Sequence, residues 1–404
     1  MERGEQSEPV SAKRSWLFIG VVIMVAVVAA LIVWWGAYIT IQQMVKMMGP
    51  SPPVLPAVSA AAPKLTIDII AKGYEHVWDV AFLPTKEMIF TERKGLLHIM
   101  KDGTATTLST IADVYVQGEG GLLGLAVDPN FISNRYIYTC FNSTKGGPDI
   151  RVVRWHVAAD LKALDGRTDI ITGIPANPSG RHSGCRVVFG PDGYMWVGTG
   201  DTAQGDTGIQ PQSLGGKILR VDRDGKAAPG NLGGQYDPRV YSYGHRNVQG
   251  IAFFPSAKLG VLGVSVEHGS DVDDEVNLLK PGNFGWAPPP EGYDESVPMT
   301  DKKRFPDAID AIWSSGQPTQ APSGATFLKG TQWKGWQGYL AVAVLKDKHL
   351  KILSLDQQNK VTGEQKLFPE QFGRIRTAQM GPDNSLYITT DNGTNDQIIR
   401  ITPH

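Results

Sequence analysis

The chain is poor in cysteine. Only Cys140 and Cys185 occur in 404 residues, and there is no CxxCH stretch. That excludes a disulfide framework and a c-type haem attachment site. Both read as buried free thiols in strands, with pairing open to them in an oxidising compartment. Positive charge is not in excess either. Lys and Arg number 39 against 40 Asp and Glu, a formal net charge of -1. A nucleic-acid partner normally requires a basic surplus or stripe, so none is expected.

Long apolar runs are missing, with one exception. Trp16 to Ile41 carries no charge and is long enough for a hydrocarbon core, which takes roughly 20 residues. Lys13 and Arg14 precede it, and Trp34, Trp35 and Tyr38 lie near its far end. This pattern predicts a transmembrane anchor over 16–41, with 1–15 cytoplasmic and the rest outside. A cleaved signal peptide is the competing reading. Its apolar core is usually about 7–15 residues, with a small-residue cleavage site close behind. Residues 42–64 read as an extended Pro/Ala-rich linker.

The rest is rich in turn formers, which account for 46 Gly and 27 Pro along the chain and suit many short strands. One phrase recurs from Leu65 onward: an apolar strand, a Pro- or Gly-containing turn, then a second strand rich in aromatic and β-branched residues. Copies begin at Trp78, Leu122, Arg186, Gln249, Ser323 and Thr377, about 45–75 residues apart. The clearest turns are Pro191-Asp192-Gly193 and Pro382-Asp383-Asn384. Six copies predict an all-β, six-bladed propeller of four-stranded antiparallel blades over 65–404. A propeller gathers loops from every blade around one axis, so chemistry is expected at blade entrances and in long inter-strand loops.

Polar residues sit at those places. His182 directly precedes the third copy, and Asp201 ends that blade's second strand. A lone His is often structural, and such an Asp can simply cap a turn. YGHRNVQG packs His245, Arg246, Asn247 and Gln249 into the entrance of the fourth copy. Asp271, Asp273, Asp274 and Glu275 cluster near Gly269. Carboxylates and free carbonyls in such a loop suit Ca²⁺, and a solvated acidic turn fits equally. Lys346, Arg374 and Arg376 stand at blade ends. Alternation in a strand would put the two arginines on one face, where they suit a polycarboxylate ligand.

Together these phrases resemble the PQQ-dependent glucose and aldose sugar dehydrogenases, the glucose/sorbosone dehydrogenase family. The matching motifs run from Gly121–Phe131 through GHRNVQGIAF, Glu267–Trp286, APSGATF and LKDKHL to Arg374–Asp391. The resemblance implies PQQ and Ca²⁺ as cofactors. It implies oxidation of an aldose at the anomeric carbon to the lactone, with hydride passing to PQQ. In it, His182 matches the general base, Asp201 the carboxylate that orients it, and Arg246 the cation beside the quinone carbonyl. Asn247, His268, Thr319, Lys346, Arg374 and Arg376 match residues around the cofactor. Gly269 and Ser270 match the carbonyls that hold Ca²⁺. Electrons would leave to an external acceptor, a cytochrome or quinone, and a monomer is the default.

The chain departs from the family pattern at several positions. Glu119 stands where Gln is common, Ser270 where Pro is, and Thr377 where Asp is; Gln317 replaces an aromatic residue. A carboxylate at 119 would oppose an anionic cofactor unless protonated or turned toward Ca²⁺. Two other functions remain open on sequence grounds. One is a propeller binding module without cofactor, and the other is a Ca²⁺-dependent lactonase-type hydrolase.

Overall fold

Apolar residues alternate with others along each repeat, and this alternation sets how the strands stack. In the strand Gly184–Phe189, Cys185 and Val187 pack toward the preceding blade, while Val188 packs toward the next. In the computed structural model, residues 23–38, 55–258 and 260–404 are described. The chain divides into two compact units, 1–51 and 52–404.

The second unit is a six-bladed propeller. Its innermost strands are Val77–Phe82, Leu122–Val127, Gly184–Phe189, Val248–Lys258, Pro322–Phe327 and Ile375–Met380. Each touches the next, and the sixth touches the first, closing the ring. The six sequence repeats are the two inner strands of the six blades. Five blades have four strands; the third gains a parallel fifth, Gly282–Asn283, paired with Val240–Tyr243. In the sixth blade the outer strand is Leu65–Tyr74, paired antiparallel with the C-terminal Asp396–Pro403.

The core is a set of apolar layers between neighbouring blades. Leu123, Val152, Val187 and Leu219 fill one, and Ala341, Ile352, Ile388 and Ile399 another. Small residues allow close approach near the axis. A Cβ on Gly250 would lie 2.3 Å from the Ser323 carbonyl oxygen of the next blade. The Pro/Ala segment is partly docked. Val58 is buried among blade residues, Trp336 donates to the Ala60 carbonyl at 2.9 Å, and Glu364 N–H donates to Pro56.

Cys140 and Cys185 form a disulfide. This corrects the expectation of free thiols. They are 45 residues apart in sequence, but their strands belong to adjacent blades and face the same apolar layer.

The first unit contains a helix over 23–38, whose Ile23, Leu31, Ile32, Val33, Trp34 and Trp35 are exposed. Among the described residues no helix is long and apolar enough to cross a membrane. The remainder of the predicted anchor lies outside the described residues.

Candidate active site

Every innermost strand shows a register shift at its first residues: between Val77 and Asp79, Leu122 and Leu125, Gly184 and Arg186, Val248 and Gly250, Pro322 and Ala325, and Ile375 and Thr377. Bulges re-aim side chains, and all six lie at the strand starts, one end of the propeller. Gln249 and Arg376 are such extra residues. The alternation argument for Arg374 and Arg376 therefore does not hold. Arg374 precedes the strand, and the bulge breaks the period-two pattern at Arg376.

His182 opens the third blade with a left-handed backbone, φ 51°. Asp201 follows the second strand of that blade. Gly200 permits their approach, because a Cβ there would meet the His182 carbonyl oxygen at 1.8 Å. His182 Nδ1 lies 2.7 Å from Asp201 Oδ1, which also accepts Ala203 N–H at 2.8 Å. Asp201 Oδ2 accepts Trp286 Nε1–H and the Tyr293 hydroxyl, each at 2.6 Å. Burial opposes charge on Asp201. The hydrogen bond and charge of His182, then Tyr293 and Trp286, outweigh it and hold the carboxyl below its usual range. With Nδ1 on a carboxylate, Nε2 is the nitrogen His182 presents to a ligand.

Glu119 lies beneath this pair. Its Oε1 accepts the His182 N–H at 3.2 Å, and its Oε2 accepts Asn247 Nδ2 at 2.9 Å and Gln249 Nε2 at 3.4 Å. Burial raises its pKa, but nearby His182 and His268, with Asn247, reverse the shift and keep the carboxyl low. The charge is thus carried by protein donors, neither protonated away nor left bare. Asn247 Oδ1 accepts the Gly184 N–H at 3.1 Å, so its side chain also ties down the His182 strand.

Arg246 is buried. Its N–H donates to Glu267 at 2.8 Å, Nη1 donates to the His268 carbonyl at 3.3 Å, and Nη2 pairs with Glu295. Burial lowers the His268 pKa to about 3, against the opposite pull of Glu119, with Arg376 and Arg246 adding to the fall. Arg376 is buried and paired with Asp391, with Nη1 donating to Gln249 Oε1 at 3.1 Å. Arg374 Nε donates to the Asp391 carbonyl at 3.2 Å. Lys346 is exposed, and Nζ donates to Thr319 Oγ1 at 3.0 Å. Among the described residues no hydrogen bond joins Lys346 to either arginine. Asp274 ties the Gly269 loop to the segment before Lys346, accepting N–H groups from Gly269, Gln320 and Ala321.

The acidic loop is not a carboxylate cage. Asp274 is committed to those backbone donors, and Glu275 to Asn277 and Thr300. Burial and then Glu267 push the Glu275 pKa up to about 8. Among the described residues, the side chains close enough to hold a metal together are His76, Asp391 and Asp396. Asp391 is already neutralised by Arg376, and Asp396 accepts from His76, Asn392 and Gly393 N–H and from Thr390.

Two observations fit a polar, anionic ligand at this end. Arg93, Arg374 and Lys346 form no ion pair among the described residues, although Asp391 acts on both arginines through its charge. Among the described residues, five of the twelve buried side-chain polar atoms without a hydrogen-bond partner belong to this region: Arg93 Nε, Arg246 Nε, His268 Nε2, Ser270 Oγ and Gln320 Oε1. Each such atom costs about 1–3 kcal/mol if nothing binds it. A ligand with several carboxylates would supply acceptors for the arginine N–H groups among them.

Three participants were not assigned roles from sequence. Arg93 follows the second strand of the first blade, as Asp201, Lys346 and Asp391 follow theirs; blade equivalence was the available signal. Tyr293 and Glu295 lie in PPPEGYDES, which has no strand pattern, and nothing in that stretch marks them.

The profile of the Glucose / Sorbosone dehydrogenase family matches residues 74–400. Aldose sugar dehydrogenase YliI of Escherichia coli is 29% identical over 370 residues, covering 86% of this chain and 95% of that protein. Quinoprotein glucose dehydrogenase B of Acinetobacter calcoaceticus is 27% identical, covering 83% of this chain and 86% of that protein. The PQQ-bound aldose sugar dehydrogenase structure from Streptomyces coelicolor superposes with a TM-score of 0.69 at 28% identity, over 84% of this chain and all (100%) of that one. With its six blades, its buried His182–Asp201 pair and a family match across nearly the whole propeller, the chain belongs to the glucose/sorbosone dehydrogenase family.

Proposed function

We propose that this protein oxidises an aldose at the anomeric carbon to the lactone, using PQQ and Ca²⁺. The observation that carries the reading is the buried His182–Asp201 pair beside unpaired cations and orphaned polar atoms. PQQ, when bound, supplies the electrophilic quinone that accepts the hydride. His182 Nε2 takes the proton of the anomeric hydroxyl, and Asp201 stabilises the imidazolium that forms. Arg246, His268, Thr319, Lys346, Arg374 and Arg376 would hold the cofactor, with Arg93 added to them. The Gly269 and Ser270 carbonyls would hold Ca²⁺, which suits the engagement of the loop carboxylates elsewhere. Purified protein given PQQ and Ca²⁺ is expected to reduce a dye with aldoses. No turnover across a broad sugar panel, with no PQQ binding by calorimetry, would overturn the reading.

Glu295 competes for the same place. It neutralises Arg246 and lies 3.1 Å from Arg181. Glu295→Gln is expected to tighten PQQ binding about 3- to 10-fold, the size of one exposed-to-half-buried ion pair. Calorimetric titration checks this; unchanged or weaker binding would show that Glu295 does not oppose the cofactor.

The reading includes export. The 16–41 segment would anchor the chain with the propeller outside the cytoplasm. The exposed apolar surface of helix 23–38 and the disulfide both support this. The chain has no haem motif, so a separate cytochrome or quinone would take the electrons. The propeller would then be periplasmic or extracellular, and protease added to cells stripped of their outer envelope should degrade it; full protection there would place it inside.

A further inference from the structure

The hydrogen bonds behind His182 reach a residue outside the blades. Tyr293 lies in the segment between the strands Gly282–Asn283 and Trp313–Ser314. Its neighbours Gly292 and Asp294 are exposed, while Tyr293 is half-buried. Gly292 and Tyr293 are both left-handed, with φ of 82° and 44°. An aromatic residue rarely adopts that backbone, and here it turns the ring inward. The ring lies 5.9 Å from His182 and edge-on to Trp286 at 6.1 Å, with the Arg181 guanidinium 5.7 Å from its centre. The hydroxyl donates to Asp201 Oδ2 at 2.6 Å and lies 3.1 Å from His182 Nδ1. Burial and then the charge of Asp201 push the phenol above the ordinary tyrosine range, so the hydroxyl remains a donor.

We infer that Tyr293 is a positioning residue: with Trp286 it pins Asp201 Oδ2, so that Oδ1 holds the proton of His182 on Nδ1 and leaves Nε2 free for substrate. This rests on the reading of His182 as the base. A carboxylate with both oxygens held cannot rotate, and the imidazole it binds keeps one tautomer. Without the hydroxyl, Oδ2 keeps only Trp286. Asp201 then gains freedom, and part of the His182 population carries its proton on the wrong nitrogen.

Tyr293→Phe removes the hydroxyl and keeps the ring contacts. In the full chain loaded with PQQ and Ca²⁺, kcat for an aldose is expected to fall about tenfold, the effect of one bond to a charged acceptor. KM, PQQ affinity and thermal stability should stay within about twofold or a few degrees of the parent. Because the effect runs through Asp201, the same change in an Asp201→Asn background should cost nothing further. A readout independent of turnover comes from ¹⁵N spectra of histidine-labelled protein without cofactor. The parent should show His182 protonated at Nδ1, and Tyr293→Phe a mixture of tautomers. An unchanged kcat and tautomer in Tyr293→Phe, with His182→Ala inactive, would overturn the positioning role and leave the base intact. Full activity in His182→Ala would remove both. An equal loss in the Asp201→Asn background would overturn the route through Asp201.

Discussion

His182→Ala is expected to lower kcat for aldoses by about 10²–10⁴-fold, the usual contribution of a general base. Cofactor binding should persist, because Glu119 takes the backbone N–H of residue 182 and not its side chain. The fold should persist too. Asp201 keeps Trp286, Tyr293 and the Ala203 N–H as donors, so its carboxylate is not left unpaired. Steady-state rates with reconstituted PQQ, alongside a PQQ titration, separate the two effects. A loss smaller than about tenfold would place the base elsewhere. A propeller that only binds ligands would show no turnover to lose in either protein.

Removing the disulfide is expected to cost a large share of the stability of the propeller. Cys140 and Cys185 enclose 45 residues, and the loop-closure argument puts the effect at roughly 4 kcal/mol. For a domain of this size that corresponds to a fall in Tm of about 5–10 °C. Cys140→Ala with Cys185→Ala should show this in thermal unfolding, and reductant should lower the parent to the same value. The bond joins the second and third blades three residues after His182. Loosening should therefore appear first as faster amide exchange at the entrance of the third blade. A parent Tm that ignores reductant would mean that the two sulfurs are not joined in the purified protein.

The propeller was legible in the sequence because each blade repeats one two-strand phrase with its own turn. Trp78, Leu122, Arg186, Gln249, Ser323 and Thr377 all fall in innermost strands. His182 and Asp201 were visible as polar residues at a blade entrance and a blade end, but only the family resemblance paired them; antiparallel pairing of the blade's first two strands is what brings those ends together. Blade equivalence could have found Arg93 as well. The disulfide was not legible, since spacing within a sequence does not show that strands of neighbouring blades share a layer. Nor was the direction of Arg376, because a bulge is a property of the closed ring and leaves no mark on the alternation. Tyr293 and Glu295 were hidden for another reason. Their segment carries no periodicity, and its left-handed turn becomes visible only when the ring lies against Asp201. Glu119 read as an obstacle to an anionic cofactor. The structure gives its charge to His182 N–H and Asn247, which turns it into a support for the base.

The central claim is that His182 works beside a bound PQQ at the bulged end of the propeller. One anaerobic experiment tests it most directly. The protein is loaded with PQQ and Ca²⁺, given an aldose and no electron acceptor, and the absorbance of the bound cofactor is followed. The expected result is rapid bleaching of the oxidised cofactor in the parent, slowed by at least about a hundredfold in His182→Ala. A parent that binds PQQ but leaves it oxidised in the presence of every aldose tried, or a His182→Ala protein that bleaches at the parent rate, would contradict it.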